Sequence, residues 1–338
     1  MHTKQQLRLS LSPQATLAVG LSLLLVVDGG PLTFASGHGA IAADEVAARV
    51  NGQAIFASEV RRVAESVTGK GKLDPASQRR LLAETLTQLV KRQLAALHLK
   101  ALKLAATKEE VNLALEGMRE RLKQQGATLK SHLKRTKFTE DQLRRTLAWQ
   151  IGWQRMLDRY MTDANLKRYF DRHRADFDGT EVRVSHILLK LPPTASADEI
   201  IKTKATATKL RGEIIAKRTT FIEAAKQHSA GSTASEGGEI GFIPRHKLMP
   251  EAFSKAAFAL KPQQVSAPIR TAFGFHLIHC LEIKPGQKRW MDVLPALRRS
   301  VARYLLDWSA DQQRTNANVE FTGKVPYLDP KSRRLVTQ

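Results

Sequence analysis

Two hydrophobic periods divide this chain. Over residues 58–170 the apolar positions recur at helical spacing, whereas Val182 to Leu189 and Thr271 to Ile278 follow the two-residue period of a strand. Ser58 is placed to cap a helix whose Val60, Val63, Ala64 and Val67 share a stripe. Asp74-Pro75 sets a capping residue before a proline at the first helical position, and Leu82, Leu86, Leu89, Val90, Leu94, Leu97, Ala101 and Leu104 then form a long stripe. Thr107 with Glu110, and Thr139 with Gln142, read as capping boxes. The first precedes Val111, Leu115, Met118 and Leu122; the second precedes Leu143, Leu147, Ile151 and Trp153. Thr162 opens a further helix with Leu166, Tyr169 and Phe170. No strict heptad persists, so these stripes predict the mutual core of packed helices. Ahead of them, Ala48 to Ile55 predicts a short strand and turn.

Beyond Gly179 the pattern changes. Val182-Arg183-Val184-Ser185-His186 alternates, and Ile187-Leu188-Leu189 then runs on unbroken, as a strand does when it enters the centre of a sheet. Pro192-Pro193 breaks the chain, and residues 198–217 have the composition of a helix. Thr220 with Glu223 caps a second helix ending near His228, residues 250–260 make a third, and residues 268–283 form a last hairpin. The mixture predicts an α+β fold with an antiparallel sheet. After Pro285-Gly286 the chain returns to helix over 290–316, then to a strand over 318–321, and ends in a frayed basic tail over 331–338.

The 338 residues suffice for two modest domains with cores of their own. Lys and Arg number 54 against 32 Asp and Glu, a net charge of +22 that favours polyanions. The basic residues are spread along helical faces and no nucleic-acid motif is present, so nucleic acid is not an expected partner. A solvated basic surface is the first reading, with weak association with anionic membrane or polysaccharide beside it. Lys4 and Arg8 precede an uncharged run over 17–27, shorter than the ~20 apolar residues of a membrane span. Ala40-Ile41-Ala42 follows with the small-residue spacing of a cleavage site, so residues 1–42 read as a secretory signal, with an uncleaved anchor as the alternative. The expected location is the periplasm or cell envelope. The single cysteine, Cys280, excludes an internal disulfide and a cysteine-rich zinc site. His276 and His279, three apart on a strand, face opposite sides and make no metal pair. Gly-Lys-Gly-Lys over 69–72 lacks the Walker pattern of a phosphate loop.

A lone histidine mid-strand is more often a satisfied core residue than a working group. Here, however, the strand of His186, the segment Gly237-Gly238-Glu239-Ile240-Gly241-Phe242 and the strand opening Thr271-Ala272-Phe273-Gly274-Phe275-His276 follow one another in order. Over 181–285 these pieces resemble the parvulin family of peptidyl-prolyl cis/trans isomerases. The resemblance implies a four-stranded antiparallel sheet wrapped by helices, with two histidines behind an apolar pocket for a proline ring and no cofactor or metal. It makes His186, His276 and Thr271 the polar residues of the site, and Ile240, Leu248, Phe253 and Phe273 its pocket. Two departures stand out. Gly231 occupies the place where the family carries cysteine or aspartate, and the segment between Gly241 and Phe253 is one residue longer than usual. A glycine supplies neither charge nor hydrogen bond, so a non-catalytic holdase with a degenerate site is the alternative.

The order of elements before Gly179 resembles the N-terminal module of SurA-type periplasmic chaperones. That implies a helical cradle for unfolded chains, with the C-terminal helix and strand packed back on it and the strand of Phe321 pairing with that of Val50. The organisation expected is a signal over 1–42, a helical chaperone domain over 43–178, an isomerase domain over 179–285, a returning helix and strand over 286–323, and a basic tail over 324–338. The function expected is an exported foldase acting on unfolded or proline-containing polypeptides. A polyanion-associated envelope factor, driven by the +22 charge, is the third reading.

Overall fold

The pair Asn51-Gly52, with φ of 48° and 78°, makes the tight turn of a two-residue hairpin. It joins β1 (Val46–Val50) to β2 (Gln53–Phe56) in a computed structural model that describes residues 44–68, 73–136, 138–192, 195–246, 248–330 and 334–337. Residues 1–42, expected to be a secretory signal, and the glycine-lysine loop over 69–72 lie outside the described residues. α1 (Ala57–Thr68) begins before Ser58, so Ser58 is not its cap. The Ser58 N–H and hydroxyl instead donate to the Asp44 carboxylate, which satisfies a first-turn donor from outside the helix.

α2 (Pro75–Ala101) is capped by Asp74, whose carboxylate accepts from the N–H groups of Ala76 and Ser77. The stripe stops short of Leu104: Lys103 turns left-handed at φ 58°, and the Leu104 N–H reaches back 2.8 Å to the Leu99 carbonyl. α3 (Lys108–Gln124) and α5 (Glu140–Tyr160) each begin with a reciprocal capping box. Between them lies α4 (Leu129–Thr136), absent from the sequence reading. It buries none of its residues and therefore carries no core stripe.

α6 (Asp163–Arg172) and the short α7 (Arg174–Phe177) lead into β3 (Glu181–Lys190). α8 (Ala197–Ile215), α9 (Phe221–His228), β4 (Glu239–Pro244), α10 (Glu251–Phe258), β5 (Ile269–Thr271) and β6 (Gly274–Lys284) follow. The strands form one antiparallel sheet in the order β4-β3-β6-β5, so the fold is α+β. One face packs Val182, Val184, Ile278 and Cys280 against Phe253 and Ala257 of α10. The other packs Ile187 and Leu277 against Leu210 of α8 and Phe221 of α9. His279 lies against the Phe221 ring, 5.1 Å between centroids, on the side away from α10.

A 3-10 turn over Trp290–Val293 precedes α11 (Leu294–Asp311), so the helix expected over 290–316 is interrupted at its start and shorter at its end. β7 (Val319–Phe321) pairs antiparallel with β1, Ala48 opposite Phe321 and Val50 opposite Val319. Ala48, Val50, Leu86, Leu89, Leu94, Ala310 and Val325 share one core, with Phe321 and Tyr327 packed against it. Lys91 of α2, almost fully buried, reaches Asp307 of α11 at 2.6 Å. The tail differs from the frayed end expected: β8 (Tyr327–Leu328) pairs with β9 (Leu335–Val336). Contacts divide the described residues into two compact units, Leu166–Leu297 in one and residues 44–165 with those from Arg298 onward in the other. Among the described residues no helix is long and apolar enough to cross a membrane.

Candidate active site

β3 and β6 set the two histidines together by register. His186 stands opposite Ile278, and His276 stands opposite Leu188, so the imidazoles are diagonal neighbours on one face of the sheet. Their Nδ1 atoms are 3.3 Å apart, with ring centroids at 5.5 Å and planes 20° apart. His276 Nε2 lies 2.8 Å from Thr271 Oγ1, which also accepts the Phe273 N–H at 3.1 Å. The fully buried Phe253 ring meets both imidazoles edge-on, at centroid distances of 5.8 and 5.4 Å. The site is therefore a file of polar groups, Thr271, His276 and His186, lying against an aromatic ring.

Burial decides the charge of this file. Only 5% of His276 is exposed; burial first, and the neighbouring His186 second, push its pKa down to about 4. Burial also lowers the pKa of His186. Both rings are neutral at neutral pH, so one Nδ1 donates its proton and the other accepts it. The file runs in one of two senses: Thr271 to His276 to His186, or the reverse.

Backbone geometry holds His186 in place. Its N–H donates to the Gly238 carbonyl at 2.8 Å, and a Cβ on Gly238, at φ 79°, would stand 2.2 Å from the His186 carbonyl oxygen. Only glycine allows that approach. α10, which carries Phe253, is positioned by Arg245, a residue that sequence reasoning missed. The buried guanidinium forks onto Glu251 at 2.9 and 2.7 Å and reaches Asp176 of α7 at 2.7 Å. Its sequence signal was slight, a lone arginine ahead of an acidic helix start.

Of the expected pocket residues, Phe253 and Ile240 belong to one cluster, with Phe253 at its buried centre and Ile240 partly covered. Leu248 and Phe273 are 61% and 59% exposed. Phe273 stays tied to the site through its N–H on Thr271. Leu248 points away into solvent, and its neighbour Met249 packs on the Phe253 cluster in its stead. The extra residue before Phe253 left this segment without a register that the sequence alone could settle. Gly231 lies directly against His186 Nε2.

Two family models match different parts of this chain. Residues 186–282 match the PPIC-type PPIASE domain, and residues 9–157 match the SurA-like N-terminal domain. The chain thus combines a parvulin-type isomerase domain with a SurA-like N-terminal domain. The foldase protein PrsA of Bacillus subtilis (strain 168) is 37% identical over 118 residues, covering 35% of this chain and 34% of that protein. The chaperone SurA of Aromatoleum aromaticum is 33% identical over 157 residues, covering 43% and 33%. The chain thus spans about a third of the length of these curated relatives. A crystal structure of a PpiC-type peptidyl-prolyl cis-trans isomerase domain is 25% identical and covers 33% of this chain and 98% of that one, with a TM-score of 0.29.

Proposed function

We propose that this protein is an exported foldase, a peptidyl-prolyl isomerase domain joined to a helical module that holds unfolded polypeptide. The observation that carries the reading is the neutral file of Thr271, His276 and His186 lying against the Phe253 ring. Rotation about a peptide bond faces a barrier of roughly 18–20 kcal/mol because resonance is lost in the twisted state. Before proline both isomers are populated and exchange slowly. The twisted amide is less charge-separated than the planar one, so an apolar, water-poor slot favours it over either planar form. Ile240 and Met249, packed on the buried Phe253 ring, wall that slot, Phe273 forms its exposed rim, and the neutral imidazoles order its polar side. The histidines act by position and electrostatics, without transferring a proton to substrate.

The helical unit supports the holding role. Leu113, Ala114 and Gly117 of α3 and Leu147 and Ile151 of α5 line a depression of about 420 Å³, flanked by Glu110 and Arg121, and Leu113 is 76% exposed. Exposed apolar surface of this kind fits unfolded chains. The charged start and apolar run of residues 1–42 support export, and the +22 charge supports weak attraction to anionic membrane or polysaccharide.

Exchange spectroscopy on a short X-Pro peptide tests the first part. Acceleration above the uncatalysed rate is expected, with a loss of about tenfold or more in His276→Ala and Thr271→Val. No acceleration by the wild-type chain rejects the isomerase. A second reading, a holdase without catalysis, is favoured by the missing side chain at Gly231. It predicts aggregation suppression for a proline-free client that Leu113→Asp weakens and His186→Ala leaves intact, with no prolyl exchange.

A further inference from the structure

The strand β4 stops pairing with β3 at Ser185, where Glu239 stands opposite, and beyond it a loop covers the edge of β3. The Ala230 N–H donates to the Leu188 carbonyl at 2.8 Å, and the Leu188 N–H donates to Ser229 Oγ at 3.1 Å. Ser229 Oγ also accepts the Gly231 N–H at 3.1 Å. One serine oxygen thus joins the strand that carries His186 to the loop that carries Gly231.

The loop is only half-covered, yet Gly231 in it lies close against the site. A Cβ on Gly231 would lie 2.8 Å from His186 Nε2, 3.3 Å from His186 Cε1 and 3.2 Å from Ser229 Oγ. The φ of Gly231 is not positive, so its backbone does not itself demand glycine, and it is the contacts with His186 and Ser229 that oppose a side chain. The His186 ring gives way only by disturbing its neighbours, because its Nδ1 is bonded to His276 and the Phe253 ring packs beside it in a T-shaped contact.

We propose that the pocket is built around glycine at 231 and that Ser229 is its positioning residue. The loop it fastens to Leu188 seats the Gly231 backbone against His186 and orients the imidazole by backbone contact, where the resemblance leads one to expect a cysteine or aspartate side chain. Gly231 is then no decayed catalytic position. Returning the family's residue displaces His186 and lowers activity instead of raising it. The proposal rests on the isomerase reading, but its structural half can be read without it.

The test uses the full chain with ¹⁵N-labelled histidine. The variants are Gly231→Ala, Gly231→Cys, Ser229→Ala, Ser229→Thr and, as a control, the exposed Ser232→Ala. Each is measured for prolyl-exchange kcat/KM and for the imidazole nitrogen resonances. Gly231→Ala and Gly231→Cys are expected to lower kcat/KM by about ten- to a hundredfold and to shift the signals of His186 and His276. Ser229→Ala should do the same to a lesser degree, and Ser229→Thr should restore both readouts. Activity at or above wild type in Gly231→Cys, or unmoved imidazole signals in Gly231→Ala, overturns the proposal. If Gly231→Cys does not fold, Ser229→Ala decides on the same two readouts. If the wild type shows no exchange activity, the isomerase reading falls while the imidazole signals still decide the geometry.

Discussion

Neutrality is what the two site histidines have in common, and it has a measurable consequence. The pKa of His276 falls from its ordinary value of 6.5 to about 4. Below pH 6.5 the unfolded chain binds a proton that the native ring refuses, so stability declines as pH falls from 6.5 towards 4 and levels off beneath that. A ¹⁵N titration of His276 should give a midpoint near 4. A midpoint above 6 would show that the ring is not desolvated. Which residues would form the file was legible in sequence, because each lies on a short motif. That Phe253 would be wholly covered and Leu248 exposed was not, because an extra residue in the connecting loop changes which side chain turns inward.

Helix starts in this chain are local devices, and local devices can be read from sequence. The capping boxes of α3, α5 and α9 join residues three apart and need nothing from the rest of the fold. Thr139→Ala should cost the helical unit about 1 kcal/mol, read as a shift of the urea midpoint at constant slope. A change near zero would mean that water replaces the cap. The α1 start shows the limit of such reading: Ser58 resembles a cap, yet the acceptor at that helix end is Asp44, brought there by the hairpin of β1 and β2. The sequence pattern likewise places the start of α8 one residue late, at 198 instead of Ala197, although Ser196 with Glu199 forms a capping box there.

The helical unit closes only when the two ends of the chain meet. β7 covers the edge of β1, and Phe321, Val325 and Tyr327 complete a core that begins with Ala47. A chain ended after Ala317 should expose that edge and lose cooperative unfolding of this unit. Fluorescence reports it directly, since Trp149, Trp153 and Trp308 lie in the helical unit and Trp290 in the other. A wild-type transition in the shortened chain would show that β7 adds nothing. The +22 charge acts at this scale too: attraction to anionic vesicles should vanish by about 1 M salt, where the screening length is about 3 Å, while apolar client binding persists.

The amino-acid order by itself determined the periods, most of the caps and the three motifs of the isomerase domain, because each is written in neighbours a few residues apart. Only the tertiary structure decided that a loop fastened by Ser229 would lie against His186, that Arg245 would hold α10 to α7, and that the last residues would form a hairpin. Those contacts join positions distant in sequence, and their signs depend on distances of a few tenths of an ångström that no pattern of residue types records.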